Sequence, residues 1–306
     1  MGILVIGGAG FIGANLCRYL LGRGYRLTVL DNFSTGRPAN LEGLALELIE
    51  GDICAPPALP GPFRYVVNLA SPASPPAYQS LALETLAAGS QGVWQALDIA
   101  RRYGARFLQA STSEVYGDPQ VHPQPESYRG CVSCTGPRAM YDESKRFAEA
   151  LIINYAQRYA TSVTIARIFN TYGPYMRPDD GRVVTNFLSQ IKRGQPLTIY
   201  GQGEQTRSFC YVEDLIQGLE RLLLSTEPGP INLGNPQEIS MLQLAQTALE
   251  VTGGRSPLSF KPLPPDDPAR RCPDITLARA RLGWEPKIPL RQGLKATWEY
   301  LQGQIV

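Results

Sequence analysis

Tyr141 and Lys145 stand four residues apart in Met140-Tyr141-Asp142-Glu143-Ser144-Lys145-Arg146, and the run that follows, Phe147 to Ile153, is helix-compatible. On a helix, positions i and i+4 face the same way, one turn apart. A free phenol has a pKa of about 10 and is a poor base at neutral pH. An ammonium beside it stabilises the phenolate, so the pair can take a proton from a hydroxyl group. Tyr-x-x-x-Lys alone is common and is equally compatible with a solvated helix face. Upstream, Ser111-Thr112-Ser113-Glu114 gathers hydroxyls and a carboxylate directly after an apolar run. Thr112, Ser113, Glu114, Tyr141 and Lys145 are therefore the candidate catalytic set.

Those groups need a scaffold, and the amino-terminal half supplies one. Ile3-Leu4-Val5-Ile6 reads as a strand buried on both faces. Gly7, Gly10 and Gly13 follow as G-x-x-G-x-x-G, and then comes an amphipathic helix to about Leu21. This spacing gives a tight strand-to-helix turn and lets the backbone approach a pyrophosphate at the helix N-terminus, with Phe11 and Ile12 in the first turn. A second strand, Arg26 to Leu30, ends at Asp31. An acid there can accept ribose hydroxyls and repels a 2′-phosphate, which favours NAD over NADP; Asn32, which belongs to the same rim, and Arg37 both pull the other way. Strand-like runs at Glu47–Glu50, Tyr65–Ala70 and Arg106–Ala110 continue the pattern, with a helix expected from about Leu83 to Tyr103. Asp52 and Ile53 follow the third strand, where Asp52 can meet the adenine edge. Ala70 and the small residues after it leave room for the cofactor. The whole predicts an α/β, Rossmann-like, doubly wound parallel sheet with ligands at the carboxyl ends of its strands.

Composition sets the outer limits. The 306 residues carry 29 basic and 27 acidic side chains, a net charge of +2, which gives no electrostatic case for nucleic acid. No apolar run reaches the length of a membrane span, and the opening strand leaves no room for a signal peptide, so a cytoplasmic protein is expected. The six cysteines are irregularly spaced and suggest no disulfide framework. Cys131 and Cys134 form a C-x-x-C, but there is no second one and only one histidine, His122, so no metal is expected.

With the glycine loop, Thr112, Tyr141 and Lys145 in place, the chain resembles the extended short-chain dehydrogenase/reductase family of nucleotide-sugar enzymes over nearly its whole length. Ser113-Glu114 is similar to the UDP-glucuronate decarboxylase (UDP-xylose synthase) branch. So are Asn68 to Pro76, Gly117-Asp118-Pro119, His122-Pro123-Gln124 and Gly136-Pro137-Arg138. Further similar stretches are Arg167 to Pro174, Asp180 to Val184, Tyr200 to Phe209, Arg271 to Ile275 and Leu282 to Pro286. Tyr175 departs from the branch, which usually has Arg there, and Arg129 replaces a usual Trp. Ser133-Cys134-Thr135 and Ala88-Gly89 depart as well. Tyr175 and Arg129 are expected near the substrate loops.

The resemblance implies oxidation of the sugar at carbon 4 with Tyr141, Lys145 and Thr112, loss of carbon dioxide from the 4-keto sugar, and return of the hydride, with NAD recycled. It also implies that Glu114, supported by Ser113, positions a ring hydroxyl or a water. Arg271 would meet the sugar carboxylate, Arg207 and Arg182 the diphosphate end or the pocket wall, and Asn170 a phosphate or the uridine. Tyr116 fits the sugar pocket or the core equally. A UDP-glucuronate 4-epimerase, or another nucleotide-sugar epimerase or dehydratase, shares the early steps. An NAD-binding regulator is the non-enzymatic alternative and predicts a broken catalytic set.

Residues 1–173 are expected to form the NAD-binding domain. Residues 174–306 are expected to be mainly a mixed α/β nucleotide-sugar lobe, with a strand near 231–234 returning to the main sheet. Helices are expected at Val184–Lys192, Val212–Leu224 and Leu242–Val251. The helices at 83–103 and 141–158 lie where related enzymes form a four-helix interface, which implies a homodimer.

Overall fold

The computed structural model describes residues 2–263 and 270–304. The chain begins with β1 (Gly2–Ile6), α1 (Phe11–Gly22), β2 (Arg26–Asp31), β3 (Glu47–Glu50) and β4 (Tyr65–Asn68). Three helical pieces follow: α2 (Pro75–Ser80), α3 (Ala82–Ala87) and α4 (Val93–Tyr103). Next come β5 (Arg106–Thr112), α5 (Ala139–Tyr159) and β6 (Val163–Ile168). The remainder holds β7 (Thr171–Tyr172), α6 (Val183–Lys192), β8 (Leu197–Tyr200), β9 (Thr206–Ser208), β10 (Cys210–Tyr211), α7 (Val212–Leu224) and β11 (Ile231–Leu233). It ends with β12 (Glu238–Ser240), α8 (Met241–Thr252), β13 (Leu258–Lys261), β14 (Arg270–Arg271), α9 (Thr276–Leu282) and α10 (Leu290–Gln302).

Seven strands form one parallel sheet in the order β11-β6-β5-β4-β1-β2-β3. The strands are apolar throughout because both faces are covered. Ile3 and Val5 point to the side where α1 and α7 pack, and Leu4 and Ile6 to the side of α4 and α5. The strand order reverses between β1 and β4, which opens a crevice at their carboxyl ends. The doubly wound parallel sheet expected from the alternating pattern is thus present.

One element differs from expectation. The single helix anticipated from Leu83 is preceded by α2 and interrupted by a π-helical turn over Ala88–Gly92. The Pro75-Pro76 pair reads as loop in sequence, but proline is well suited to a first helical turn. At the π turn, α5 crosses so closely that a Cβ on Gly89 would lie 2.5 Å from the Ser144 Cβ. The turn therefore sits where α5 is pressed against its neighbour; π-helical bulges of this kind are frequent at functional sites.

Three small sheets accompany the main one: β10 pairs with β7, β12-β9-β14 form the second, and β13 pairs with β8. The last segment is pinned by Trp284, whose indole Nε1 donates to the Asp214 carbonyl at 2.9 Å.

Candidate active site

The carboxyl ends of β1, β4, β5 and β6 open into one cavity of about 510 Å³. Its cofactor-side wall is the glycine loop, Gly7, Gly10, Phe11, Ile12 and Gly13. Gly7 has φ +79°, and a Cβ there would come within 2.8 Å of the Ala70 nitrogen. A Cβ on Gly13 would lie 2.4 Å from the Gly7 carbonyl oxygen. No side chain caps α1. The first-turn N–H groups of a helix have no intrahelical partner and suit an anion. This uncapped turn against a bare-backbone loop fits the pyrophosphate of NAD.

The rest of the expected cofactor rim does not line this cavity. Asp31 is buried, and its carboxylate accepts N–H groups from Ala9 at 2.8 Å and Phe33 at 2.9 Å. Burial pushes its pKa up, with these two bonds opposing. Asn32 donates to Asp52 at 2.9 Å, and Asp52 also accepts the Cys54 N–H at 2.7 Å. Burial alone would raise the Asp52 pKa, but these bonds hold it below the usual carboxylate range. Ile53 is buried against Gly92. Ala70 faces the glycine loop.

The catalytic candidates do meet. Thr112 ends β5, and its Oγ1 caps the 3₁₀ turn Ser113–Tyr116 by accepting the Glu114 N–H at 3.2 Å. That turn buries Ser113 and swings Glu114 into the cavity beside Tyr141 and Lys145. The Tyr141 hydroxyl pairs with Thr112. Burial pushes the Tyr141 phenol above its ordinary value, and the Thr112 bond partly opposes this. The lowering anticipated from Lys145 is not the dominant effect. The Lys145 ammonium donates to the Ala110 carbonyl at 3.0 Å and lies 5.7 Å from the Tyr141 ring centroid. Burial lowers the Lys145 pKa to about 8, against the raising influence of Glu149.

Glu114 is gripped from two sides. Arg138 Nη2 pairs with one carboxylate oxygen and Arg271 Nη1 with the other. Burial acts to raise the Glu114 pKa, but the two guanidiniums outweigh it and hold the group ionised. Arg271 is buried, and among the described residues its Nε and Nη2 find no hydrogen-bond partner. Arg182 also lines the cavity, but Asp180 already holds its Nε and Nη2, and its guanidinium stands 5.7 Å over the Phe11 ring. Arg207 and Asn170 line the far wall.

Three residues escaped the sequence reading. Arg138 appeared there only as part of a similar stretch, yet it clamps Glu114. Asp142 is buried, 3.7 Å from Arg138, with Oδ1 unpartnered among the described residues. Burial and the nearby Glu114 raise its pKa to about 7, against the pull of Arg138 and Arg271. Tyr78, on α2, stacks on Tyr141 with centroids 5.1 Å apart and planes 11° from parallel. The sequence reading assigned no element to this stretch. Tyr78→Phe is expected to keep the stack and near-full activity, and Tyr78→Ala to lower turnover by about 10-fold, since offset aromatic pairs are worth about 0.5–1.5 kcal/mol. Equal rates for Ala and Phe, measured by steady-state kinetics, would remove Tyr78 from the positioning of Tyr141.

Other expectations resolve differently from one another. Tyr116 is core: its hydroxyl donates to Asn232 at 2.7 Å and accepts from Arg167 at 3.0 Å. Arg129 is exposed and away from the cavity, because its loop is held by its carbonyl, which accepts from Arg146 at 2.8 Å. Tyr175 does line the cavity, between the Arg18 guanidinium at 4.1 Å and the Tyr300 ring at 4.8 Å. All six cysteines are free thiols, and Cys131 and Cys134 are exposed.

Known proteins resemble this chain in sequence and fold. The profile of the NAD dependent epimerase/dehydratase family matches residues 3–234. UDP-glucuronic acid decarboxylase 1 of Xenopus tropicalis is 48% identical over 307 residues, covering 99% of this chain and 72% of that protein. UDP-glucuronic acid decarboxylase 1 of Arabidopsis thaliana is 50% identical over 296 residues, covering 95% and 68%. The crystal structure of UDP-glucuronic acid 4-epimerase from Bacillus cereus in complex with UDP-glucuronic acid and NAD superposes with a TM-score of 0.86 at 27% identity, covering 99% of each chain.

Proposed function

The chain belongs to the NAD dependent epimerase/dehydratase family, and from that premise we propose that it is a UDP-glucuronate decarboxylase, converting UDP-glucuronate to UDP-xylose. The 48–50% identity to two UDP-glucuronic acid decarboxylases supports this over an epimerase. The observation that carries it in the site is Arg271, buried at the cavity with two donor nitrogens unpartnered among the described residues. A guanidinium edge of that kind matches a carboxylate bidentately.

Bound NAD supplies hydride acceptance from sugar carbon 4 and its later return, so no net oxidation occurs. Gly7, Gly10, Phe11, Ile12 and Gly13 hold its pyrophosphate, with Asp31, Asn32, Asp52, Ile53 and Ala70 at the adenosine end. Tyr141, as the phenolate that the nearby Lys145 ammonium favours, takes the proton from the sugar 4-hydroxyl and returns it to oxygen 4 when the ketone is reduced, while the Thr112 hydroxyl shares a hydrogen bond with the same sugar oxygen. Thr112 and Tyr141 then hydrogen-bond the oxyanion that develops at oxygen 4 as the carboxylate, beta to the ketone, leaves as carbon dioxide, and carbon 5 takes up a proton to restore the ketone before the hydride returns. Glu114, fixed by Arg138 and Arg271, orients a ring hydroxyl or a water, with Ser113 supporting the turn. Arg182 forms the wall near Tyr141, and Arg207 and Asn170 face the diphosphate and uridine. Residues 1–173 serve the cofactor, and residues 174–306 mainly serve the nucleotide sugar.

Incubation with UDP-glucuronate and NAD, followed by proton NMR, tests this. UDP-xylose with released carbon dioxide is expected. UDP-galacturonate, with the carboxylate kept, would move the assignment to a 4-epimerase.

We also propose a homodimer. Leu83, Trp94 and Phe147 expose 77%, 47% and 52% of their surface on α3, α4 and α5, an apolar face suited to a two-fold interface. Sedimentation at the mass of one 33.5 kDa chain would sink it. No helix among the described residues is long and apolar enough to cross a membrane. The free thiols fit a reducing compartment, the cytoplasm; a disulfide in the isolated protein would argue against it.

A further inference from the structure

Behind the cavity wall, three metal-ligating side chains from distant parts of the chain converge. His122 comes from the loop after the 3₁₀ turn, Glu238 opens β12, and Cys272 follows β14. Their ligand atoms all lie within 4.8 Å of one another. His122 Nε2 and a Glu238 carboxylate oxygen are 2.8 Å apart. The sequence argued against a metal because the C-x-x-C lacks partners; the fold brings the single histidine to a different cysteine.

We propose that His122, Glu238 and Cys272 bind one divalent cation of the zinc class, borderline-soft and tetrahedral, at a site separate from the nucleotide-sugar cavity. The donor set of imidazole, carboxylate and thiolate suits such a cation. The fourth position falls to the Pro236 carbonyl, which is 3.3 Å from the Cys272 sulfur. Bond lengths of about 2.0–2.3 Å in a tetrahedron put ligand atoms about 3.3–3.7 Å apart, so the His–Glu pair opens slightly and the thiol closes by about 1 Å.

The surroundings hold these groups for the task. Thr206 Oγ1 donates to the other Glu238 oxygen at 2.6 Å, which leaves the first turned to His122. Such outer bonds aim a ligating carboxylate. Thr206 lies on β9, which pairs with β12 on one side and β14 on the other. Gln124 ties the histidine loop to the cysteine strand. Its N–H donates to the Cys272 carbonyl, and its side-chain oxygen accepts the Cys272 N–H, both at 2.9 Å.

Binding balances simply. The thiol proton of Cys272 leaves to solvent and a sulfur–metal bond forms. The metal takes the place of the hydrogen between His122 Nε2 and Glu238, and the imidazole stays neutral by carrying its hydrogen on Nδ1, so only the thiol proton is released. A dication against one thiolate and one carboxylate leaves a neutral site. Because Cys272 follows Arg271, the cation acts as a clip on the strand that carries Arg271 to Glu114.

Titration of the tag-free chain with Co²⁺ tests the site by absorption. One equivalent per chain is expected to give a near-ultraviolet thiolate-to-cobalt band together with visible bands of tetrahedral cobalt. Cys272→Ser should abolish the thiolate band. His122→Gln, at a partly exposed side chain that the core does not need, should weaken binding by at least about 10-fold, and Thr206→Val by about 10–100-fold. A Cys131→Ser/Cys134→Ser variant should retain the band. The site is refuted if no band appears up to millimolar Co²⁺, if the band survives Cys272→Ser or is indifferent to His122→Gln, or if it vanishes with the C-x-x-C.

Discussion

Tyr141→Phe is expected to lower the rate of UDP-xylose formation by about 10²–10⁴-fold, the range for removing a positioned acid–base group. The variant should still bind NAD. Phe keeps the ring that stacks on Tyr78 and deletes only the hydroxyl that pairs with Thr112. The fold and the cofactor loop are untouched by that change, so KM and bound NAD should stay close to the parent's while kcat falls. Steady-state kinetics with a spectroscopic count of bound cofactor separates these effects. An unchanged kcat would transfer the proton to another group, and loss of bound NAD would mean that Tyr141 acts chiefly in cofactor binding.

The second large effect is expected at Glu114. Glu114→Gln removes the charge that faces both Arg138 and Arg271. Removing one partner from a buried ionic cluster costs about 3–5 kcal/mol, because the charges left behind stay out of water. The pH dependence has a definite sign. The folded-state pKa of Glu114 is depressed, so its stabilising contribution is complete above the unfolded value, near 4.3, and disappears as pH falls through the folded value. The stability gap between parent and variant should therefore be full at pH 7, begin to shrink as pH falls past about 4.3, and close once pH is below the depressed folded value. Denaturant melts through that pH range measure it. A constant gap across that range would show that the carboxylate charge is not what stabilises the cluster. Arg138→Met gives a milder comparison, since Arg271 keeps its partner.

Much of this molecule can be read from its chain in order. The glycine loop, Thr112, Tyr141 and Lys145 were legible because local chemistry fixes them: a tight turn needs glycine, and a one-turn spacing needs a helix. The main sheet was legible because both-face burial leaves continuous apolar runs such as Ile3 to Ile6. What stayed hidden depends on distance along the chain. Nothing near Arg138 or Asp142 tells that they flank Glu114. Tyr78 was missed because its stacking joins α2 to α5, a contact across 63 residues of chain. The downward pull of Lys145 on Tyr141 follows from spacing alone, whereas the opposing effect of burial follows from packing. Arg129 and Tyr175 looked alike as departures, yet only the second reaches the cavity.

The Glu114–Arg271 pair joins residues 157 positions apart. By the time synthesis has passed Ile168, six of the seven parallel strands exist, and the glycine loop can already face its crevice. The carboxylate placed over that crevice then has Arg138 but not Arg271. Chemical competence thus arrives late in translation, well after the fold's centre is laid down. A chain ended by a premature stop near Gly234 would carry the whole stretch by which its family is recognised. It would still lack Arg271, the cation proposed to meet the sugar acid, and would be a look-alike that a sequence survey counts as an enzyme.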